Sequence, residues 1–313
     1  MNISMVIDTD TASDDAVALI MAVQAATVSI RAVTTVAGNV PLASATRNAL
    51  ITLEIAGAPC VPVFEGLAGP LLRPLETAQD VHGEDGMGDI GLSDPTGRAR
   101  TEHAVDALRQ IGRDEPGRHM LVTLGPLSTI AAALLIEPDL LTRFTHVVSM
   151  GGAFDGVGNC NAVGEFNIWA DPEAAQIFCN APGNKTFVGW EMARHNSVMT
   201  PADQAALAAV GRLGQFAVDI NIAAERFDRQ QNGLGGYALA DPIAMAVAIN
   251  PAIATRTSQH QIRIGVASHD RGGTFDTINR LGDTAAAAEG TTCTVVDEVD
   301  ETRYRQLLLD WCR

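Results

Sequence analysis

Short apolar runs rich in β-branched residues alternate along this chain with longer segments in which apolar residues recur at helical spacing. The first pattern predicts strands and the second predicts helices. Strands are predicted at Ile3–Ile7, Val28–Ala37, Cys60–Phe64, Met120–Leu124, Thr145–Met150, Gln261–Val266 and Cys293–Val299. Helices are predicted from Pro41 to near Gly57, at Glu102–Ile111, Pro126–Leu135, Leu213–Glu225, Ile243–Ile249 and Glu301–Trp311, and after Ser13, Asp171 and Thr200.

Repeated strand–helix units predict an α/β fold with a Rossmann-like, mostly parallel sheet flanked by helices. A chain of 313 residues is long enough for one large domain or two ordinary ones. We interpret residues 1–313 as a single domain. A Gly-x-Gly-x-x-Gly fingerprint does not follow the first predicted strand, so a dinucleotide cofactor is not expected.

Four aspartates stand at the junction of the first predicted strand and the first predicted helix. Asp8 and Asp10 follow the strand, and Asp14 and Asp15 fall in the first turn of the helix, where Ser13 is the predicted N-cap. In open α/β sheets, ligands bind at this end of a strand. A helix N-terminus stabilises a carboxylate by only about 0.3–1 kcal/mol. Two like charges about 5 Å apart repel by about 3 kcal/mol at an effective dielectric near 20. The cluster therefore predicts either solvated acidic side chains or a bound polyvalent cation.

Three further segments lack a regular pattern. The glycine-rich segment His82–Asp89 predicts a loop that is either functional or mobile, and Arg226–Leu239 predicts a second mobile segment. Between them, Asn159, Glu165 and Asn167 cluster without a predicted helix or strand. Amides and carboxylates exchange hydrogen bonds with sugar hydroxyls, so this cluster predicts a sugar-binding segment.

Asp171-Pro172 and Asp241-Pro242 each precede a predicted helix. Aspartate is a preferred N-cap, and proline is preferred at the first helical position. The residues alone therefore predict that both aspartates are helix caps.

Charge and composition exclude several classes of function. The net charge of −16 disfavours nucleic acid, which proteins contact through Lys and Arg, and favours a small neutral ligand or a cation. Five cysteines without a Cys-x-x-Cys pair predict neither disulfides nor a zinc site. No apolar run approaches the roughly 20 residues of a membrane span, and the N-terminus lacks the basic region of a secretory signal. We expect a soluble, cytoplasmic protein that contacts no membrane.

The run Asp8-x-Asp10-x-x-x-Asp14-Asp15 resembles the N-terminal signature of the nucleoside hydrolases, which are calcium-dependent N-ribohydrolases of the inosine/uridine-preferring type. His82-Gly-Glu-Asp-Gly and the later Glu165-Phe-Asn-x-x-x-Asp-Pro-Glu-Ala-Ala segment resemble the family independently. The resemblance covers most of the chain. It implies the nucleoside hydrolase fold, a Ca²⁺ cofactor and hydrolysis of the bond between ribose C1′ and a base nitrogen. It also implies a homodimer or homotetramer.

The resemblance assigns roles to individual positions. It implies that Ca²⁺ is bound by Asp10, Asp15, Asp241 and the main-chain carbonyl of Leu124, which reverses the prediction that Asp241 is a cap. It implies that Asp10 is the general base for the attacking water. The substrate-binding residues that it implies are Asp14 and Asn39 at the ribose hydroxyls, Asn159, Glu165 and Asn167 at the other ribose oxygens, and Met150.

The chain departs from the family at the residue before Asp241. Many members have a histidine there that is proposed to protonate the departing base, but this chain has Ala240. His82, or in second place His195, is a candidate for the missing acid. Alternatively, stacking on Trp190 or Tyr237 raises the proton affinity of the base itself.

Two other functions fit parts of the pattern. A phosphatase of the haloacid dehalogenase type also has Asp-x-Asp at a strand end, but the segment 282–289 lacks the later acidic pair at the required spacing. A non-catalytic relative that binds calcium and ribose has the same motifs. The sequence leaves the choice between purine and pyrimidine bases open.

Overall fold

The computed structural model of this chain describes residues 2–231, 233, 235–277 and 291–313. The segment 282–289, which bears on the phosphatase alternative, lies outside the described residues. The strands are β1 Ile3–Thr9, β2 Val28–Thr35, β3 Val63–Glu65, β4 His119–Thr123, β5 Val147–Met150, β6 Lys185–Val188, β7 Val198–Met199, β8 Tyr237–Ala238, β9 Ala254–Ile264, β10 Thr274–Asp276 and β11 Thr292–Val299.

The remaining regular structure of the described residues consists of α-helices and two short 3-10 helices, Leu140–Arg143 and Pro251–Ile253. The α-helices are α1 Ser13–Gln24, α2 Leu42–Ile55, α3 Gln79–His82, α4 Ala104–Asp114, α5 Ser128–Ile136, α6 Phe166–Ala170, α7 Pro172–Asn180, α8 Trp190–Asn196, α9 Pro201–Ala209, α10 Arg212–Ile220, α11 Ile222–Gln231, α12 Ala240–Ile249 and α13 Glu301–Trp311. None of the helices described is long and apolar enough to cross a membrane.

Nine of the described strands form one sheet in the order β10-β9-β11-β6-β5-β4-β1-β2-β3. The strands from β11 to β3 in this order are parallel to their neighbours, and β9 is antiparallel to both β10 and β11. This confirms the predicted α/β fold with a mostly parallel sheet. The strands β7 and β8 form a separate antiparallel pair.

Burial explains why the central strands are continuously apolar. Met5 and Ile7 of β1 belong to one hydrophobic cluster, whereas Val6 belongs to a second. Because successive side chains of a strand point to opposite faces, the two clusters lie on the two faces of the sheet. Parallel sheets are characteristically covered on both faces in this way.

Two element predictions are wrong in extent. The helix predicted at Leu213–Glu225 is divided between α10 and α11, with Asn221 between them. Asn221 Nδ2 donates to Ala217 O at 2.8 Å, which satisfies a carbonyl at the end of α10. The helix α11 then continues to Gln231, so the first six residues of the segment predicted to be irregular from Arg226 are helical.

The strand order brings distant polar segments together. β4, β1 and β2 are adjacent in the sheet, and all three are parallel. Their carboxyl ends lead to the aspartate run, to Asn39 and to Leu124. These three segments therefore meet at one edge of the sheet, the edge at which open α/β sheets bind ligands.

Candidate active site

A cavity of about 350 Å³ lies at this edge of the sheet. Binding sites for small molecules typically have volumes of about 300–1,000 Å³. The cavity brings together most of the predicted site residues: Asp14, Asn39, His82, Leu124, Met150, Asn159, Glu165, Asn167, Trp190 and Asp241.

Three carboxylates converge beside this cavity. One oxygen each of Asp14, Asp15 and Asp241 lies within 4.8 Å of the others, and all three residues are buried. Asp14 Oδ1 is buried without a hydrogen-bond partner among the described residues. The arrangement therefore offers only oxygen ligands in a small volume, which suits a hard divalent cation.

Repulsion and burial make the carboxylates of this cluster unfavourable neighbours. Burial, followed by repulsion from Asp14, raises the pKa of Asp15 to about 7. Burial, followed by repulsion from Asp15 and Asp14, raises the pKa of Asp241 well above its usual range. A cation among these groups would compensate both effects, so the residues fit a metal ion.

Asp10 lies next to this trio but is not part of it. Asp10 Oδ2 accepts a hydrogen bond from Asn39 N at 2.6 Å, and its Oδ1 is buried without a partner among the described residues. Two glycines make room for this carboxylate. A Cβ at Gly38 would stand 2.1 Å from Asp10 Oδ2, and one at Gly125 would stand 2.6 Å from Oδ1. Burial, followed by repulsion from Asp15, raises the pKa of Asp10 well above its usual range.

The N-cap prediction for Ser13 is wrong. Ala12 is the N-cap of α1, and Asp15 Oδ2 accepts a hydrogen bond from Ala12 N at 2.9 Å. Ser13 Oγ lies instead 2.8 Å from Nδ1 of His82, at the end of the short helix α3. His82 Nδ1 is 3.9 Å from Asp14 Oδ1, which is beyond hydrogen-bond distance.

The two Asp-Pro pairs have different surroundings. Asp171 Oδ1 accepts from Ala174 N at 3.0 Å, so Asp171 caps α7 as predicted. Asp241 lies inside α12, whose N-cap is Leu239, and its carboxylate joins the acidic trio. The structure therefore contradicts the cap prediction that the sequence alone made for Asp241.

The predicted sugar-binding segment is more ordered than expected. Glu165 caps the short helix α6, where its carboxylate accepts from Asn167 N at 2.9 Å, and it also accepts from Gly152 N at 2.8 Å. Burial raises the pKa of Glu165 to about 6. Asn167 Nδ2 donates to Leu124 O at 2.6 Å, the carbonyl for which a metal contact was expected. Asn159 Oδ1 accepts from Phe166 N at 2.8 Å.

Two of the residues predicted to act on the departing base do not line the cavity. Tyr237 is 1% exposed and packs in the core, so the structure contradicts its expected stacking on a base. His195 is exposed near the end of α8 and is not among the described residues that line the cavity. His82 is the histidine that lines it.

Sequence reasoning missed several cavity residues on α6 and on or next to α11. Phe166 and Trp169 are three residues apart on α6 and both line the cavity. Asn221, Ala224, Phe227 and Asp228 also line it. Their spacing of three, three and one residues is that of one helix face. The pattern was missed because the predicted helix ended at Glu225, before Phe227 and Asp228.

Comparison with known proteins places the chain in a family. Residues 5–306 match the family model described as inosine-uridine preferring nucleoside hydrolase. An uncharacterized protein of Schizosaccharomyces pombe is 43% identical over 174 residues, which cover 55% of this chain and 56% of that protein. A probable uridine nucleosidase of Arabidopsis thaliana is 32% identical over 311 residues, covering 98% of this chain and 96% of the relative.

The fold gives the same result. A solved structure described as a plant nucleoside hydrolase superposes with a TM-score of 0.94 at 29% identity, covering 100% of this chain and 99% of that one. The family match, the full-length relative and the shared fold agree with the geometry of the site. This chain therefore belongs to the inosine-uridine preferring nucleoside hydrolase family.

Proposed function

We propose that this enzyme hydrolyses the N-glycosidic bond of ribonucleosides, releasing the free base and ribose. The observation that carries the proposal is the acidic trio of Asp14, Asp15 and Asp241 beside a cavity of nucleoside-compatible size. Family membership supports the same reaction and argues against the alternative function as a phosphatase.

We propose that Ca²⁺ is the metal. Calcium takes 6–8 oxygen ligands in flexible geometry, whereas Mg²⁺ usually keeps several waters. Asp15 and Asp241, with Asp10, Asp14 and the Leu124 carbonyl close by, supply such oxygens. When bound, the cation lowers the pKa of a coordinated water and so provides a stronger nucleophile.

The residues of the chain then divide the remaining tasks. Asp10, whose Oδ1 has no hydrogen-bond partner in the described part of the chain, is proposed to accept the proton of the attacking water. The water oxygen bonds to C1′ while the C1′–N bond breaks and its electron pair moves to the base. Asp14 and Asn39 are proposed to hold the 2′- and 3′-hydroxyls, and Asn159, Glu165 and Asn167 are proposed to hold other ribose oxygens. The surrounding carboxylates stabilise the positive charge that develops on the ribosyl group.

The departing base must either be protonated or be a good leaving group without a proton. Ala240 lines the cavity at the position next to Asp241 and has no proton to donate. His82 lines the same cavity, and we propose it as the general acid. Trp190 also lines the cavity and remains the proposed stacking partner of the base.

Release of free ribose from a panel of purine and pyrimidine ribonucleosides tests the proposal. Wild-type enzyme with Ca²⁺ should release ribose, and Asp10→Asn should lower the rate by at least about 100-fold, the usual contribution of a general base. The 2′-deoxy analogues should react far more slowly, because they leave buried polar groups unpaired. Nucleosides that raise the melting temperature without any ribose release would instead identify a binding protein without turnover.

A further inference from the structure

Ser13 and His82 are in contact although 69 residues separate them in the sequence. Ser13 is fully buried at the first residue of α1, and His82 lines the cavity. We propose that Ser13 is a positioning residue that orients the His82 ring, with its Nε2–H available to the departing base. The inference rests on the proposed hydrolysis and assigns a function to an unspecified position of the Asp-x-Asp-x-x-x-Asp-Asp run.

The helix itself does not use the Ser13 hydroxyl. The first turn of α1 is capped through Asp15, whose Oδ2 accepts from Ala12 N at 2.9 Å. Within the described part of the chain, the hydrogen bond of Ser13 Oγ is the one to His82 Nδ1, at 2.8 Å. The hydroxyl therefore contacts a residue of the cavity wall and is not used to cap the helix.

The direction of this hydrogen bond follows from burial. A buried hydroxyl that cannot place its proton on an acceptor is destabilising. Because Nδ1 is the acceptor within reach, Ser13 donates to it. A neutral imidazole that accepts at Nδ1 carries its proton at Nε2, where it can donate a hydrogen bond to the base. For full proton transfer the ring first takes a second proton at Nδ1, the Ser13 hydroxyl turns to accept from Nδ1–H, and the Nε2 proton passes to the base, which leaves a neutral ring. Asp14 Oδ1, at 3.9 Å, is too distant to compete for Nδ1.

The ring needs such support because its own element is short. The helix α3 has four residues, and both Val81 N and His82 N donate to Ala78 O. In contrast, α1 is buried along most of its length and is a rigid part of the core. A side chain on α1 is therefore suited to hold a reactive group that stands on this much shorter helix.

The test compares two substrates whose leaving groups differ. Uridine needs a proton on its base, whereas 4-nitrophenyl riboside has a leaving group that departs without one. In the presence of Ca²⁺, Ser13→Ala should lower kcat for uridine at least about tenfold more than kcat for 4-nitrophenyl riboside, with little change in KM. Ser13→Thr, which keeps the hydroxyl, should restore most of the uridine rate.

Two controls separate positioning from a general structural effect. Adding Ser13→Ala to His82→Ala should cause no further loss on uridine, because both changes remove one function. Ser128 is also a buried serine at the first residue of a helix, but its hydroxyl donates to Asp171 Oδ2 at 2.6 Å, away from the cavity. Ser128→Ala should leave the ratio between the two substrates unchanged.

Ring nitrogen-15 NMR reads the arrangement directly. The His82 signals, identified by their loss in His82→Ala, should show the Nε2–H tautomer in wild type and a mixture in Ser13→Ala. A wild-type Nδ1–H tautomer, equal losses on both substrates, or additive losses in the double variant would overturn the proposal. If wild type hydrolyses no nucleoside, the proposed function fails, while the NMR measurement still decides how Ser13 and His82 are arranged.

Discussion

At the scale of single residues, two aspartates with the same local sequence have different functions. Asp171 and Asp241 both precede a proline at the start of a helix, but Asp171 caps α7 and Asp241 lies in the acidic trio. Asp171 also accepts from Ser128 Oγ and, at 2.7 Å, from Leu71 N. One residue therefore stabilises the fold, and the other is placed for a metal ion.

Exchanging each of these aspartates for asparagine separates the two functions. Asp241→Asn should weaken Ca²⁺ binding more than about tenfold and largely abolish ribose release, because a ligand charge is lost. Asp171→Asn should cost about 1–3 kcal/mol of folding free energy, because an amide NH₂ then faces hydrogen-bond donors. Calorimetric melting with and without Ca²⁺ measures both the folding free energy and the stabilisation by Ca²⁺. A normal Ca²⁺-dependent rise in Tm for Asp241→Asn would contradict the assignment.

At the scale of elements, Arg271 connects three segments of the cavity wall. Its guanidinium lies 3.7 Å above the Trp169 ring, and its Nε donates to Trp169 O at 2.8 Å. Its Nη1 pairs with Glu76 at 2.8 Å, and its carbonyl accepts from Asn161 at 2.9 Å. Trp169 and Glu76 both line the cavity. Arg271 therefore links two residues of the cavity wall.

Removing Arg271 should loosen the wall without touching the acidic cluster. Arg271→Ala should raise KM for nucleosides about fivefold, corresponding to a cation–π contribution of about 1 kcal/mol, with a smaller effect on kcat. Arg263→Ala is the matched control, because Arg263 stacks on Phe275 at 4.7 Å and does not line the cavity. Steady-state kinetics compare the two variants, and equal changes in KM would show that Arg271 has no special effect on the site.

At the scale of the whole molecule, a buried carboxyl outside the acidic cluster makes stability depend on pH. Glu191, at the start of α8, is 7% exposed and accepts from Phe154 N at 3.1 Å. Burial raises its pKa from 4.5 to about 7. The folded state therefore holds this proton more tightly than the unfolded state, and the resulting stability is present below about pH 4.5 and lost as the pH rises through about 7.

Glu191→Gln should remove this part of the pH dependence. Between about pH 5 and about pH 8, wild type should lose up to about 3 kcal/mol of unfolding free energy that the variant keeps. Urea unfolding in excess Ca²⁺ measures the difference while holding the acidic cluster constant. The exposed Glu102, changed to Gln, is the control and should follow wild type. Parallel pH profiles for wild type and Glu191→Gln would refute the prediction.

The sequence by itself determined the element types and the location of the acidic cluster. Strand and helix patterns depend on neighbours two to four residues apart, so the β1 run and the stripe of Tyr304, Leu307 and Leu308 on α13 are readable locally. The aspartate run, Asn39 and Leu124 follow strand ends, and parallel strands place such ends at one edge.

Only the tertiary structure decided which side chains meet. The order β4-β1-β2 brings Asp10, Asn39 and Gly125 together, and the packing of α12 beside α1 brings Asp241 to Asp15. These contacts join residues far apart in sequence, and no local pattern encodes them. The same reason explains why Ser13 resembled a cap and Tyr237 a stacking residue, since their partners are set by long-range packing.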